Sequence, residues 1–307
     1  MLSRIADSLF WIGRYIERAD GTARMVDVLR LSLVEDPGQD ESYTSSMLLG
    51  GIMGYDDVAH DVAYSDVAAR LVFDASNPSA VSGSWLAARE NARRARETLS
   101  TELWEVINTS WRRWNGLGAS TATQQHLSWV TERAALVAGI ADSTMSHDEA
   151  WEFLSLGRSL ERADMTARIV ATGALQGGPS WGVVLASCGA QQAMLRTMRG
   201  MITDRTAAAF LTLDRRFPRS VLAALRDAED RLTVLAPDID RVGFSDEARR
   251  ILGQTRTQLE YANPDDVLED LPTMMGMVQR SVTRASDEIG ARYFRSGPVQ
   301  EWTGEIL

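Results

Sequence analysis

A short charged segment occurs twice in this chain of 307 residues, and its residue types can carry proton-transfer or ion-pair chemistry. Residues 13–24 read GRYIERADGTAR and residues 157–168 read GRSLERADMTAR, with nine of twelve positions identical. The repeated charges are Arg14, Glu17, Arg18, Asp20 and Arg24, then Arg158, Glu161, Arg162, Asp164 and Arg168, 144 residues further on. Glu17 and Glu161 are the candidate catalytic groups, since a positioned carboxylate can act as general acid or base on an amide or peptide. The arginines are candidate substrate-binding groups, because a guanidinium grips a carboxylate or phosphate through two parallel N–H bonds. Two glutamates brought together could also share a proton or a divalent cation. The same residues suit a helix–helix interface in which arginines of one copy pair with acids of the other. Buried networks of that kind fix register rather than add stability. Asp20/Arg24 and Asp164/Arg168 also stand at i,i+4, the spacing for a pair within one helix.

A second charged group lies in ARENARRARETLSTELWEVIN, residues 88–108. It supplies Arg89, Glu90, Asn91, Arg93 and Arg96 as further binding candidates. An uninterrupted helix from Val81 to Trp114 would align Arg89, Arg93 and Arg96 in one stripe, continued by Ser100 and Trp104. Stacked arginines repel one another unless something anionic faces them. That partner is either the Glu17/Asp20 stripe or an anionic ligand. A shift of 140 residues places Glu229 and Thr233 where Arg89 and Arg93 stand, so the second half lacks this stripe.

The composition removes other chemistries. All 32 basic residues are arginine, and there is no lysine. A P-loop nucleotidase, a Schiff-base enzyme and a lysine-dependent ligase are therefore excluded. Cys188 is the only cysteine, so neither an intrachain disulfide nor a Cys-rich zinc site can form. His60 sits among Asp56, Asp57 and Asp61, but spacing alone does not make a metal site, and neither metal nor cofactor is expected. The sequence contains no Glu-x-x-His, no Gly-rich phosphate loop and no Ser-centred elbow. Charges interrupt the apolar run at the N-terminus, so no signal peptide or membrane span is expected, and the default location is the cytoplasm. The net charge of −10 argues against general nucleic-acid binding.

These residues must be positioned by helices. Ile5, Ile12, Ile16, Ala19, Ala23 and Val26 recur at helical spacing, with the Gly13/Glu17/Gly21/Arg24 stripe roughly opposite. Further helices are expected over about 121–142, 149–175, 181–203, 220–235, 246–261 and 271–294. Ser146 and Glu149 read as a capping box for the one beginning at 149. Breaks fall at Pro37-Gly38, Asn77-Pro78, Gly116–Gly118, Gly177-Gly178-Pro179, Phe217-Pro218, Ala236-Pro237 and Asn263-Pro264. A second echo supports duplication: Asp74-x-x-x-Pro78-x-x-Val81 recurs as Asp214-x-x-x-Pro218-x-x-Val221. The expected fold is an all-α multi-helix bundle of two duplicated halves, 1–144 and 145–307, related by a pseudo-twofold axis and packed as one unit.

SLFWIGRYIERADGTAR, LAARENARRARETLSTELWEVIN, LGRSLERADMTARIV and FLTLDRRFPRSV together resemble the bacterial alpha-E domain family. The resemblance covers essentially the whole chain and implies an all-helical domain named for its glutamates. It carries over to Arg14, Glu17, Arg18, Asp20, Arg24, Arg89, Glu90, Asn91, Arg93, Arg96, Glu102, Arg158, Glu161, Arg162, Asp164 and Arg168. The segment from Asp40 to Asp66 is more acidic than the family's pattern. Such domains are encoded beside, or fused to, circularly permuted ATP-grasp ligases and transglutaminase-like proteins. That company implies partners of those two kinds, a small anionic or peptide substrate, and a system that makes or modifies peptides or amides. Three roles follow as expectations. The chain is an accessory, substrate-binding component with an Arg/Glu-lined cleft, an enzyme using Glu17 or Glu161, or a scaffold with a buried Arg/Glu interface.

Overall fold

A computed structural model describes residues 1–36, 38, 40–59, 61–117, 122–197, 202–236 and 242–294. The described residues are all-helical, with no strand. In chain order the helices are α1 (Ser3–Glu35), α2 (Glu41–Ser46), α3 (Tyr64–Ala68), α4 (Val81–Arg94), α5 (Thr101–Asn115), α6 (Gln124–Thr144) and α7 (Glu149–Gly173). They continue as α8 (Trp181–Ser187), α9 (Gln191–Thr197), α10 (Asp204–Leu213), α11 (Val221–Leu235), α12 (Glu247–Tyr261), α13 (Pro264–Glu269) and α14 (Leu271–Ile289).

The two longest helices, α1 and α7, pack against each other at the centre. Helices α4 and α6 lie on α1, and α5 joins them. Helices α11 and α14 lie on α7, and α12 joins those. Enclosure on all sides explains why α1 buries its charged stripe as well as its apolar face. Ile12, Ile16 and Ala19 are buried, and so are Gly13, Arg14, Glu17 and Asp20.

Glycine makes the central crossing possible. A Cβ on Gly13 would stand 2.0 Å from the Leu154 carbonyl oxygen, and a Cβ on Gly157 would stand 2.0 Å from that of Phe10. No larger residue fits backbones this close. The gap that Gly13 leaves beside Glu17 is therefore filled by backbone.

The structure corrects three local expectations. The helix expected from Val81 to Trp114 ends at Arg94, passes through a 3-10 turn at Arg96–Thr98, and restarts at Thr101. Ser100 causes the restart: its hydroxyl accepts the Leu103 N–H at 3.1 Å as an N-cap. The helix expected over 181–203 divides at Gly189, whose φ of +62° leaves helical geometry. The capping box at Ser146 does not form. Asp148 caps α7 instead, accepting the Ala150 N–H at 2.9 Å. His60 and the chain beyond residue 294 lie outside the described residues.

Candidate functional site

The two ERAD segments meet where α1 crosses α7, and their charges pair across the crossing. Arg18 of α1 grips Glu161 of α7 with two bonds, Nε to Oε1 at 2.5 Å and Nη2 to Oε2 at 2.9 Å. In the reverse direction, Arg162 Nε of α7 lies 2.9 Å from Glu17 Oε1 of α1. Each acid then takes a second guanidinium from a different source. Glu161 meets Arg14 Nε at 2.6 Å, whereas Glu17 meets Arg219 Nη1 at 2.7 Å. Arg219 comes from the turn before α11 and also donates to Asp20. Asp20 takes Arg24 as well, and Asp164 takes Arg168 at 2.8 Å.

Both glutamates are held below the ordinary glutamate pKa. Burial raises each one. Arg219 and Arg162 outweigh that effect at Glu17, and Arg18 and Arg14 do so at Glu161. Glutamates used as general acids are tuned in the opposite direction, up toward neutrality. Arg219 itself is pushed down by burial and raised further by Glu17 and Asp20, with a net upward shift. Arg14 also lies 5.8 Å from the Phe10 and Trp11 ring centres and donates to Ser286.

The remaining predicted residues disperse. Arg158 pairs with Asp142 at 3.4 Å while its charge still helps to lower the Glu17 pKa. Arg89 and Arg93 face neither Glu17 nor Asp20; both pair with Glu90, at 2.7 and 3.0 Å. Arg89 also donates to Asn108, and Asn91 donates to the Ala87 carbonyl. The helix break removes Arg96 from the stripe and lays it over the Trp104 ring at 5.3 Å. Arg93 and Arg96 line a shallow exposed hollow with Arg4, Arg94 and Glu97. Glu102 lies in the first turn of α5. Cys188 is buried, which drives its thiol pKa up to about 12 and makes it a poor nucleophile.

A cavity opens on the network. It has a volume of about 150 Å³ and is lined by Arg18, Ser79, Glu161, Asp164, Met165 and Arg168, with Ile52 and Met53 as its apolar wall. Ile52 also lines a larger cavity of about 430 Å³ between α1, α2, α7 and α8. That second space is walled by Met25, Leu29, Leu48, Ile169 and Val184, with Glu35, Asp36 and Asp40 among its lining residues. Periodicity marks these apolar residues only as core, so no sequence signal sets this cavity apart.

Arg219 belongs to this ion-pair network and is not among the residues that the repeat marks. A sequence signal for it exists. In the Asp-x-x-x-Pro echo, the residue after proline is Ser79 in the first copy and Arg219 in the second. Among the described residues, no group of three or more His, Cys, Asp or Glu is placed to hold a metal ion. Nor is any helix long and apolar enough to cross a membrane.

Comparison with known proteins gives a consistent assignment. A family described as "a predicted alpha-helical domain with a conserved ER motif" matches residues 1–294. Glu17-Arg18 and Glu161-Arg162, the dipeptides that pair across the α1/α7 crossing, are of that kind. Uncharacterized proteins of Mycobacterium bovis and Mycobacterium tuberculosis are 25% identical over 296 residues, a match covering 87% of this chain and 33% of each relative. The chain thus spans about a third of the length of these relatives. No solved structure matches it. With nearly its whole length matched, the chain belongs to the Alpha-E family.

Proposed function

We propose that this chain is the substrate-binding, accessory component of a cytoplasmic ATP-grasp-dependent system that forms or modifies peptide or amide bonds. The observation that carries the reading is the cavity at the α1/α7 crossing. It presents guanidinium groups from Arg18 and Arg168 beside carboxylates from Glu161 and Asp164, and it adjoins an apolar space across Ile52. A zwitterionic or peptidic substrate has charges of both signs next to an apolar body, which suits such a site. The absence of lysine supports leaving the ATP-driven step to a partner, a circularly permuted ATP-grasp ligase, with a transglutaminase-like protein as a second associate.

In this reading Glu17 and Glu161 are a charge frame rather than proton carriers. The lowered pKa values and the double pairing of each acid favour that role. The frame also favours duplicated halves, 1–144 and 145–307, related by a pseudo-twofold axis. Gly13–Leu154 and Phe10–Gly157 contacts are reciprocal under a 144-residue shift, as are the Arg18–Glu161 and Glu17–Arg162 pairs.

The test is co-purification of this protein with the ligase, followed by product analysis by mass with and without it. A stable complex or a change in ligase turnover is the expected result. Failure to bind the ligase together with unchanged turnover overturns the proposal.

A further inference from the structure

The two arms of the network differ in the source of their guanidiniums, and the difference at the aspartates specifies a ligand. Against α1, Asp20 receives two guanidiniums, from Arg24 and Arg219, and its side chain is 4% exposed. On α7, Asp164 has one direct ion pair, to Arg168, with the Arg18 charge nearby, and is 13% exposed. Arg219 and Ser79 occupy the same step of the same turn. Ser220 N–H donates to the Phe217 carbonyl at 2.9 Å, just as Ala80 N–H donates to that of Asn77 at 3.0 Å. The turn carrying Arg219 is tied down by Thr166, whose hydroxyl donates to the Arg219 carbonyl at 2.9 Å. Thr22, at the matching position of α1, has a buried hydroxyl with no partner. Ser79 is too short to reach Asp164, and the space in front of it is the 150 Å³ cavity.

We infer that this cavity receives the guanidinium of an arginine side chain carried by the ligand, seated against Asp164 as Arg219 is seated against Asp20. The inference rests on the reading of the cavity as a substrate site and names the group it takes. Glu161 is already met by Arg14 and Arg18, whereas Asp164 pairs directly with Arg168 only, so Asp164 is the carboxylate with room for a second guanidinium. The volume has room for several waters, enough for a planar guanidinium and the end of its stem. Ile52, Met53 and Met165 give the stem an apolar wall. An arginine-containing peptide is the substrate class that fits.

The test is calorimetric titration of the full chain with N-acetyl-L-arginine amide, and separately with N-acetyl-L-glutamate amide. Saturable binding of the arginine probe alone is expected, retained in Ser79→Ala. Loss of the charge-assisted bond in Asp164→Asn should weaken it about tenfold or more. Ser79→Arg should abolish it, because the introduced side chain occupies the slot. If Ser79→Arg fails to fold, Asp164→Asn decides. Undiminished arginine binding in Ser79→Arg or in Asp164→Asn overturns the inference. Binding of the glutamate probe alone overturns it while leaving the substrate-site reading standing. Binding of neither probe removes both.

Discussion

Arg219 and Asp20 are 199 residues apart in sequence, yet the Arg219 guanidinium donates to the Asp20 carboxylate and lies 2.7 Å from Glu17 as well. One side chain therefore bridges two buried acids on α1. Removing it leaves Glu17 with Arg162 and Asp20 with Arg24, so neither charge is left unpaired. Arg219→Met should therefore cost less than the ~3–5 kcal/mol of a buried ion left with no partner, about 1–3 kcal/mol for the lost charge-assisted bonds. Arg219→Lys should recover only part of this, because a point charge cannot bridge two carboxylates as the planar fork does. Urea denaturation measures both losses.

The role of Glu17 separates frame from catalyst. Glu17→Gln removes the charge that Arg162 and Arg219 share, so a clear drop in melting temperature is expected. A general acid or base predicts the reverse, lost turnover with the melting temperature nearly unchanged. Thermal unfolding monitored by circular dichroism distinguishes the two outcomes.

Stability should fall in acid. The folded pKa values of Glu17 and Glu161 lie below the unfolded value of about 4.3. Their contribution is therefore complete above that value and is lost as pH falls through the folded values. Asp7 and Glu152 are shifted upward, chiefly by burial, and oppose the trend. The comparison is thus with Glu161→Gln, whose loss of stability between about pH 5 and pH 3 should be shallower than that of the unsubstituted protein.

Gly13→Ala and Gly157→Ala should each be severely destabilising, by about 1–3 kcal/mol or more, since the atom in the way is backbone and cannot swing aside. Both substitutions push the same two helices apart. Their effects should therefore be less than additive when combined. Urea midpoints of the two single variants and the double variant test this.

Cys188 should resist a thiol reagent such as DTNB at pH 8 in the folded protein and react promptly in denaturant. Burial both hides the sulfur and suppresses the thiolate. Fast modification without denaturant would contradict the packing around α8.

Much of this protein was readable before any coordinates. Helical class followed from apolar spacing, because an element's buried face is written at its own period. The charged motif announced itself by recurring, and its opposition to the apolar stripe of α1 marked it as something other than ordinary core. The Asp-Pro echo spans Ser79 and Arg219 but does not single them out, because nothing local tells what Arg219 touches. Tertiary structure decided the rest. A helical wheel shows which residues share a face but not what lies against it. Enclosure of α1 and α7 turned an exposed-looking stripe into a buried network, with Arg18 on Glu161 and Arg162 on Glu17. The stripe through Arg89, Arg93 and Arg96 failed because Ser100 caps a new helix, a choice made by one hydroxyl that periodicity does not see. The cavity beside Asp164 exists for the same kind of reason. A cavity is the absence of an atom from a distant part of the chain, and only the folded arrangement brings Ser79 to the place where an arginine would have filled it.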